Sequence, residues 1–202
     1  MNVLWRTYRG LAPVLGSLAP AAGVFTSPSE RLLWRERLGK LSLPGGCDAW
    51  VHAASLGEAV AAAPLVRELV RLQPDARLQL TATTRSGRER LRELDPHAAL
   101  APLDTPQAAR SFFHGVRPER LFLIETELWP HWLLRAERER VPVAVVSARL
   151  SERSARGYRR LGRGLHKLVG GLAAVLCQGQ DDEQRWLSLG APARRTSIVG
   201  NL

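Results

Sequence analysis

A Rossmann-like doubly wound α/β fold with a parallel sheet is what this 202-residue sequence predicts. Three observations carry that reading. From Ala49 onward, short apolar runs alternate with longer segments of helical periodicity. Turn and capping residues stand between them. The chain is also 45% hydrophobic, which is enough for one ordinary core.

The first strand is expected at Ala49–Ala53, with a helix from about Glu58 whose apolar positions Val60, Leu65, Leu69 and Leu72 recur at helical spacing and which carries Pro64 as an irregularity. A second strand at Leu78–Ala82 leads into a helix over 86–94. A short third strand near 98–101 precedes a helix over 106–113. The pattern repeats with a strand at 120–124, a helix over 130–140 and a strand at 143–146. One long basic helix is expected over 151–169. A strand over 173–177, a helix over 181–189 and a strand over 196–199 complete the series. A strand so near Leu202 would normally be followed by an element covering the sheet, so a further domain is expected beyond it.

Residues 1–28 lack this alternation. The apolar stretch 11–25 is shorter than the roughly 20 residues a span requires and contains Pro13 and Pro20. With Trp5, Arg6, Tyr8 and Arg9 ahead of it, the segment reads as an interfacial anchor on a membrane surface. The formal net charge of +10, almost all of it arginine, favours an anionic partner. Nucleic acid is disfavoured, because the basic residues do not interleave with aromatics as a base-stacking platform requires. Cys47 and Cys177 match no metal-ligand spacing and no disulfide framework, and no metal or cofactor is expected.

In a doubly wound sheet the ligand crevice lies beyond the carboxyl ends of the strands. Those positions hold Ser55, Gly57 and Glu58; Thr84, Arg85, Ser86 and Gly87; Asp104; Glu125, Glu127 and Trp129; and Arg149 and Ser151. Each Ser, Thr or Gly there is equally a helix cap or turn residue. Capping requires neither Glu125 nor Trp129. Glu58, in the first turn of a helix where free amides favour an ionised carboxylate, suits a proton acceptor, and a second acidic group suits a cationic transition state.

Five segments carry a resemblance. They are Trp50-Val51-His52-Ala53-Ala54-Ser55-Leu56-Gly57-Glu58, Thr83-Thr84-Arg85-Ser86-Gly87, Pro102-Leu103-Asp104, Glu125-Thr126-Glu127-Leu128-Trp129-Pro130, and the run from Ser147 to Ser154 with Gly157-Tyr158. In this order the chain resembles the 3-deoxy-D-manno-octulosonic acid (Kdo) transferases of lipid A biosynthesis, from about Glu36 to Leu202. The resemblance implies the N-terminal, acceptor-side half of a two-domain GT-B glycosyltransferase that transfers Kdo from CMP-Kdo to a lipid A precursor with inversion, at the cytoplasmic face of the inner membrane. It implies Glu58 as general base and Glu125 as transition-state stabiliser. Substrate contacts are expected from Ser55, Gly57, Thr84, Ser86, Gly87, Glu127, Trp129, Arg149 and Ser151.

The family's C-terminal domain supplies most CMP-binding residues, so this polypeptide alone is expected to have little or no transfer activity. Arg149, Arg153, Arg156, Arg159 and Arg160 are the expected contacts to an anionic lipid surface. Two other readings stay open: a different GT-B nucleotide-sugar enzyme, and a non-catalytic basic module.

Overall fold

The computed structural model describes residues 27–202. The expected anchor over residues 1–28 therefore lies, but for its last two residues, outside the described residues.

The described chain begins with a helix the sequence reading did not assign, α1 (Pro28–Arg37). Ser27 and Glu30 cap each other, the Ser27 Oγ accepting from the Glu30 amide at 3.4 Å and the Glu30 carboxylate accepting from the Ser27 amide at 3.2 Å. Pro28 at the first helical position needs no hydrogen-bond partner for its nitrogen. The alternating series follows: β1 (Ala49–Ala53), α2 (Leu56–Leu72), β2 (Leu78–Ala82), α3 (Arg85–Arg92), β3 (Ala99–Leu100), α4 (Pro106–Val116), β4 (Leu121–Ile124), α5 (Pro130–Glu139) and β5 (Val143–Ala148). Beyond it come α6 (Glu152–Arg159), α7 (Arg163–Gly170), β6 (Ala174–Cys177), α8 (Gln180–Ser188) and β7 (Thr196–Ile198).

The seven strands form one parallel sheet in the order β3-β2-β1-β4-β5-β6-β7. The chain winds outward from β1 in one direction and from β4 in the other. The switch point thus falls between β1 and β4, where Trp50 pairs with Leu121 and His52 with Leu123. A crevice opens there because the connections leaving the two strands depart to opposite sides.

Two apolar layers sandwich the sheet, and β1 shows how its alternation serves both. Val51 and Ala53 join Ala59, Ala62, Val66, Leu80 and Leu91 under α2 and α3. Trp50 joins Phe112, Phe113, Leu123 and Trp132 under α4 and α5, in a cluster that continues to Leu165, Val175 and Trp186. All five residues of β1 are buried, so its polar member, His52, must be satisfied internally. Its Nδ1 lies 3.0 Å from Thr81 Oγ1, which also accepts from the Trp50 indole at 2.7 Å. Burial lowers the His52 pKa to about 3, so the ring is neutral, a structural part of the aromatic layer.

Two expectations for the second half are corrected. The single helix over 151–169 is two helices, broken at Gly162, whose φ of 70° and ψ of −155° are open to glycine and unfavourable for residues with a Cβ. The apolar spacing of Tyr158, Leu161, Leu165 and Leu168 runs across the break, which is why periodicity alone read through it. The fifth strand also extends past Val146 to Ala148, with a register irregularity against β6 between Val145 and Ala148. Ser147, inside that irregularity, has φ 53°.

Candidate active site at the switch point of the sheet

Glu58 and Glu125 arrive at the switch point from the two strands that flank it. The first stands in the opening turn of α2 after β1. The second follows directly on β4. Their carboxylates are near enough that the Glu125 charge contributes to the upward shift of the Glu58 pKa.

Glu58 is half-buried and held at both oxygens. Oε2 accepts from the Ala54 amide at 2.7 Å, and Oε1 accepts from the Ser55 hydroxyl at 3.1 Å. The Ser55 hydroxyl in turn accepts from the Glu58 amide at 3.3 Å, so Ser55 is the N-cap of α2 and the clamp on Glu58 at once. Burial pushes the Glu58 pKa up, the two hydrogen bonds oppose that shift, and Glu125 reinforces it. A carboxylate brought toward neutral pH by desolvation yet fixed in direction by two donors is what general-base chemistry requires.

Glu125 is held differently. Its backbone has φ 61°, a left-handed conformation that a residue with a side chain occupies at about 1–3 kcal/mol of strain. Its amide donates to the Val146 carbonyl of β5 at 3.0 Å, which pins the turn. No hydrogen bond or ion pair to its carboxylate is formed among the described residues. The other left-handed positions, Arg117 and Arg140, are ordinary helix C-caps. Among the described non-glycine residues, only Glu125 and Ser147 adopt this conformation at the carboxyl ends of strands, and both do so at the rim.

Glu127 is the third acid of the group. Burial first, then the neighbouring Glu58 charge, raise its pKa to about 7; Trp129 opposes the shift and Glu125 adds to it. At the same site the Tyr158 hydroxyl donates to the Thr126 carbonyl at 3.1 Å, and burial and the Glu127 charge hold its pKa up at about 12. Tyr158 thus ties α6 to the Glu125–Glu127 loop, a tether the sequence reading did not anticipate. A stability prediction follows from linkage. Between about 4.5 and about 7 the folded state keeps the Glu127 proton that the unfolded chain has released, so stability falls as pH rises through that window. Glu127→Gln is expected to flatten this fall and to gain about 1–3 kcal/mol above neutral pH. Denaturant midpoints measured from pH 4.5 to 8 check it; parallel curves for the two proteins contradict it.

The remaining expected contacts divide into two groups. Gly57, Thr84, Ser86, Arg149 and Ser151 are exposed on the rim. Thr84 and Ser151 also cap α3 and α6, accepting from the Gly87 and Ser154 amides at 3.1 Å each. A Cβ on Gly57 would meet only Ser55 Oγ at 3.9 Å, so the surface beside Glu58 is open. Gly87 is buried, and a Cβ there would stand 3.0 Å from each of Ala82 Cβ, the Ser55 carbonyl and Thr84 Oγ1; its glycine serves packing between α3 and the end of β2. Trp129 is half-buried, its ring 5.2 Å from Trp132 and 6.4 Å from His52, so it forms the aromatic floor beside Glu127.

Further tethers on this edge were not foreseen. Asp104 accepts from the His131 and Trp132 amides at 3.0 and 3.1 Å, fastening the loop after β3 to the start of α5. Ser147 donates to Asn201 Oδ1 at 2.8 Å, and Gln178 donates to Ser147 Oγ at 3.0 Å. Of the basic residues expected on one long helix, Arg159 is paired with Glu152 at 2.9 Å. Among the described residues, no group of three or more His, Cys, Asp or Glu is placed to hold a metal ion, and no helix is long and apolar enough to cross a membrane.

Comparison with known proteins adds a family. Residues 33–202 match the family model described as 3-deoxy-D-manno-octulosonic-acid transferase (kdotransferase). A 3-deoxy-D-manno-octulosonic acid transferase of Haemophilus influenzae is 32% identical over 182 residues, covering 87% of this chain and 43% of that protein. One of Bordetella pertussis is 39% identical over 167 residues, covering 79% of this chain and 38% of that protein. The chain therefore spans less than half the length of these relatives. Among solved structures, a UDP-N-acetylglucosamine 2-epimerase superposes with a TM-score of 0.54 at 14% identity over 77% of this chain and 48% of its own. The Neisseria meningitidis UDP-GlcNAc 2-epimerase bound to UDP-GlcNAc gives 0.54 at 16% identity, over 76% and 46%. At such identity the likeness is one of fold: the N-terminal half of a GT-B architecture.

Proposed function

The chain belongs to the 3-deoxy-D-manno-octulosonic-acid transferase family, and on that premise we propose that it is the acceptor-side half of an inverting glycosyltransferase. The donor is CMP-Kdo and the acceptor a lipid A precursor, in the assembly of the lipopolysaccharide core. The observation that carries the reading is the meeting of Glu58 and Glu125 at the β1/β4 switch point, one carboxylate clamped and the other without a hydrogen-bond partner among the described residues.

In the proposed step Glu58 takes the proton of the attacking acceptor hydroxyl. The freed oxygen forms a bond to the anomeric carbon of Kdo from the face opposite the leaving group. The bond from that carbon to the CMP phosphate oxygen breaks, and its electron pair leaves with CMP, so a single displacement inverts the centre. Glu125 faces the positive charge that builds on the anomeric carbon and ring oxygen. Glu127, holding its proton near neutral pH, has an O–H to offer a substrate oxygen, and Trp129 a flat surface against which a sugar ring rests.

The surplus of ten positive charges favours work at an anionic lipid surface, and we place the protein at the cytoplasmic face of the inner membrane. The test is transfer of labelled Kdo from CMP-Kdo to a tetra-acylated lipid A precursor by this chain joined to the C-terminal portion of the Bordetella pertussis relative. A Kdo-bearing product is expected. A folded, CMP-binding chimaera that forms no product overturns the proposal.

A further inference from the structure

A cleft of about 640 Å³ runs between α4 and α5, away from the three carboxylates, and its charge is not balanced. Gln107 and Arg110 stand one turn apart on the α4 wall, and Arg135 and Arg138 one turn apart on the α5 wall. Arg110 and Arg138 are exposed, and neither side chain has a hydrogen-bond or ion-pair partner among the described residues. Arg135 pairs with Glu139, yet its Nε–H is buried without an acceptor. Three guanidinium groups therefore share one carboxylate. Like charges one turn apart on a helix are unfavourable, and a buried donor without an acceptor adds to that. Nothing in the packing of α4 on α5 calls for this arrangement.

We propose that this cleft is a binding site for a phosphate monoester carried on a saccharide. Guanidinium forks match phosphate oxygens in bidentate fashion, and a phosphate monoester near neutral pH brings close to two negative charges, the size of the local imbalance. Forks approaching from two facing helices suit a tetrahedral group with three free oxygens better than a planar carboxylate with two. The volume exceeds that of a lone phosphate and admits the sugar that carries it. Pro106 in the first turn of α4 and His131 in the first turn of α5 line one end and place it on the strand-end rim, where Asp104 binds the start of α5 to the loop before α4. A saccharide anchored there by its phosphate extends over Trp129 toward Glu127.

The site is testable on this chain, independently of any transfer reaction. Inorganic phosphate, glucose 1-phosphate, glucose, and vesicles of phosphatidylcholine with and without phosphatidic acid are titrated against the wild type, Arg110→Gln/Arg138→Gln and Arg67→Gln, an exposed arginine of α2 outside the cleft, with circular dichroism reporting the fold. Saturable binding of glucose 1-phosphate but not glucose is expected, weakened at least tenfold in the double variant and unchanged in Arg67→Gln. Nitrogen-detected NMR of the wild type is expected to show the Nε resonances of Arg110, Arg135 and Arg138 moving with phosphate before other arginines. Arginine-dependent binding of phosphatidic acid vesicles in preference to glucose 1-phosphate transfers the site from a soluble sugar phosphate to a lipid headgroup and overturns the saccharide assignment. No saturable phosphate binding, or binding indifferent to the double variant with shifts spread over all arginines, overturns the site itself.

Discussion

Glu58→Gln in the two-domain chimaera is expected to lower transfer by about 10²–10⁴-fold while leaving the fold in place. The amide keeps one oxygen to accept from the Ala54 amide, so the opening turn of α2 retains its main tie, while the group that takes the proton is gone. Ser55 stays as N-cap through its contact with the residue-58 amide, and the loss in stability is expected to stay near 1 kcal/mol or below. The loss should appear in kcat with KM nearly unchanged, because the proton leaves the acceptor only in the transition state. Turnover within threefold of wild type removes Glu58 from its role. A variant that also loses cooperative unfolding shows instead that the carboxylate serves the structure.

The largest expected effect on stability lies at the β3 edge of the sheet. Arg88 and Glu36, both nearly buried, form an ion pair at 3.2 Å, and the same Glu36 oxygen accepts from the Leu100 amide at 2.8 Å. Three elements therefore meet on one carboxylate: α1, α3 and β3. Arg88→Ala leaves Glu36 buried with one amide as its partner and is expected to destabilise the fold by about 3–5 kcal/mol. Arg88→Met combined with Glu36→Leu removes both charges and is expected to recover most of that loss, short of the missing Leu100 hydrogen bond. Chemical denaturation of the wild type, the single and the double variant measures this. A double variant as weak as Arg88→Ala would show that the long side chain, and not the charge, supports the edge.

Much of this molecule is legible in its sequence, for reasons that differ by element. The strands at 49–53 and 78–82 stand out because apolar runs end on residues that cap the next helix: Ser55 before α2 and Thr84 before α3. The helix α1 does not stand out, because what docks it is a buried ion pair between residues 52 positions apart, which no periodicity reveals. The break at Gly162 is hidden by an apolar pattern that continues across it. At the site, the rule that ligands gather beyond the strand ends brings Glu58 and Glu125 forward only as two among many rim residues, and the family resemblance is what gives them roles. Glu125 directly follows β4, while Glu58 stands in the first turn of α2, where a carboxylate is also an ordinary helix-start charge. The left-handed backbone at Glu125 and the burial that raises Glu127 arise only when β4, β5 and α6 are assembled side by side. Residue type alone carries neither.

The proposed chemistry stands on the two rim carboxylates sensing each other. Carbon-detected NMR titration of the Glu58 side chain, in this chain and in its Glu125→Gln variant, measures that contact. A Glu58 pKa above the ordinary carboxylate value is predicted, moving down once the neighbouring charge is removed. An ordinary Glu58 pKa that is indifferent to residue 125 would mean that the two acids do not share one mouth of the sheet, and would contradict the account.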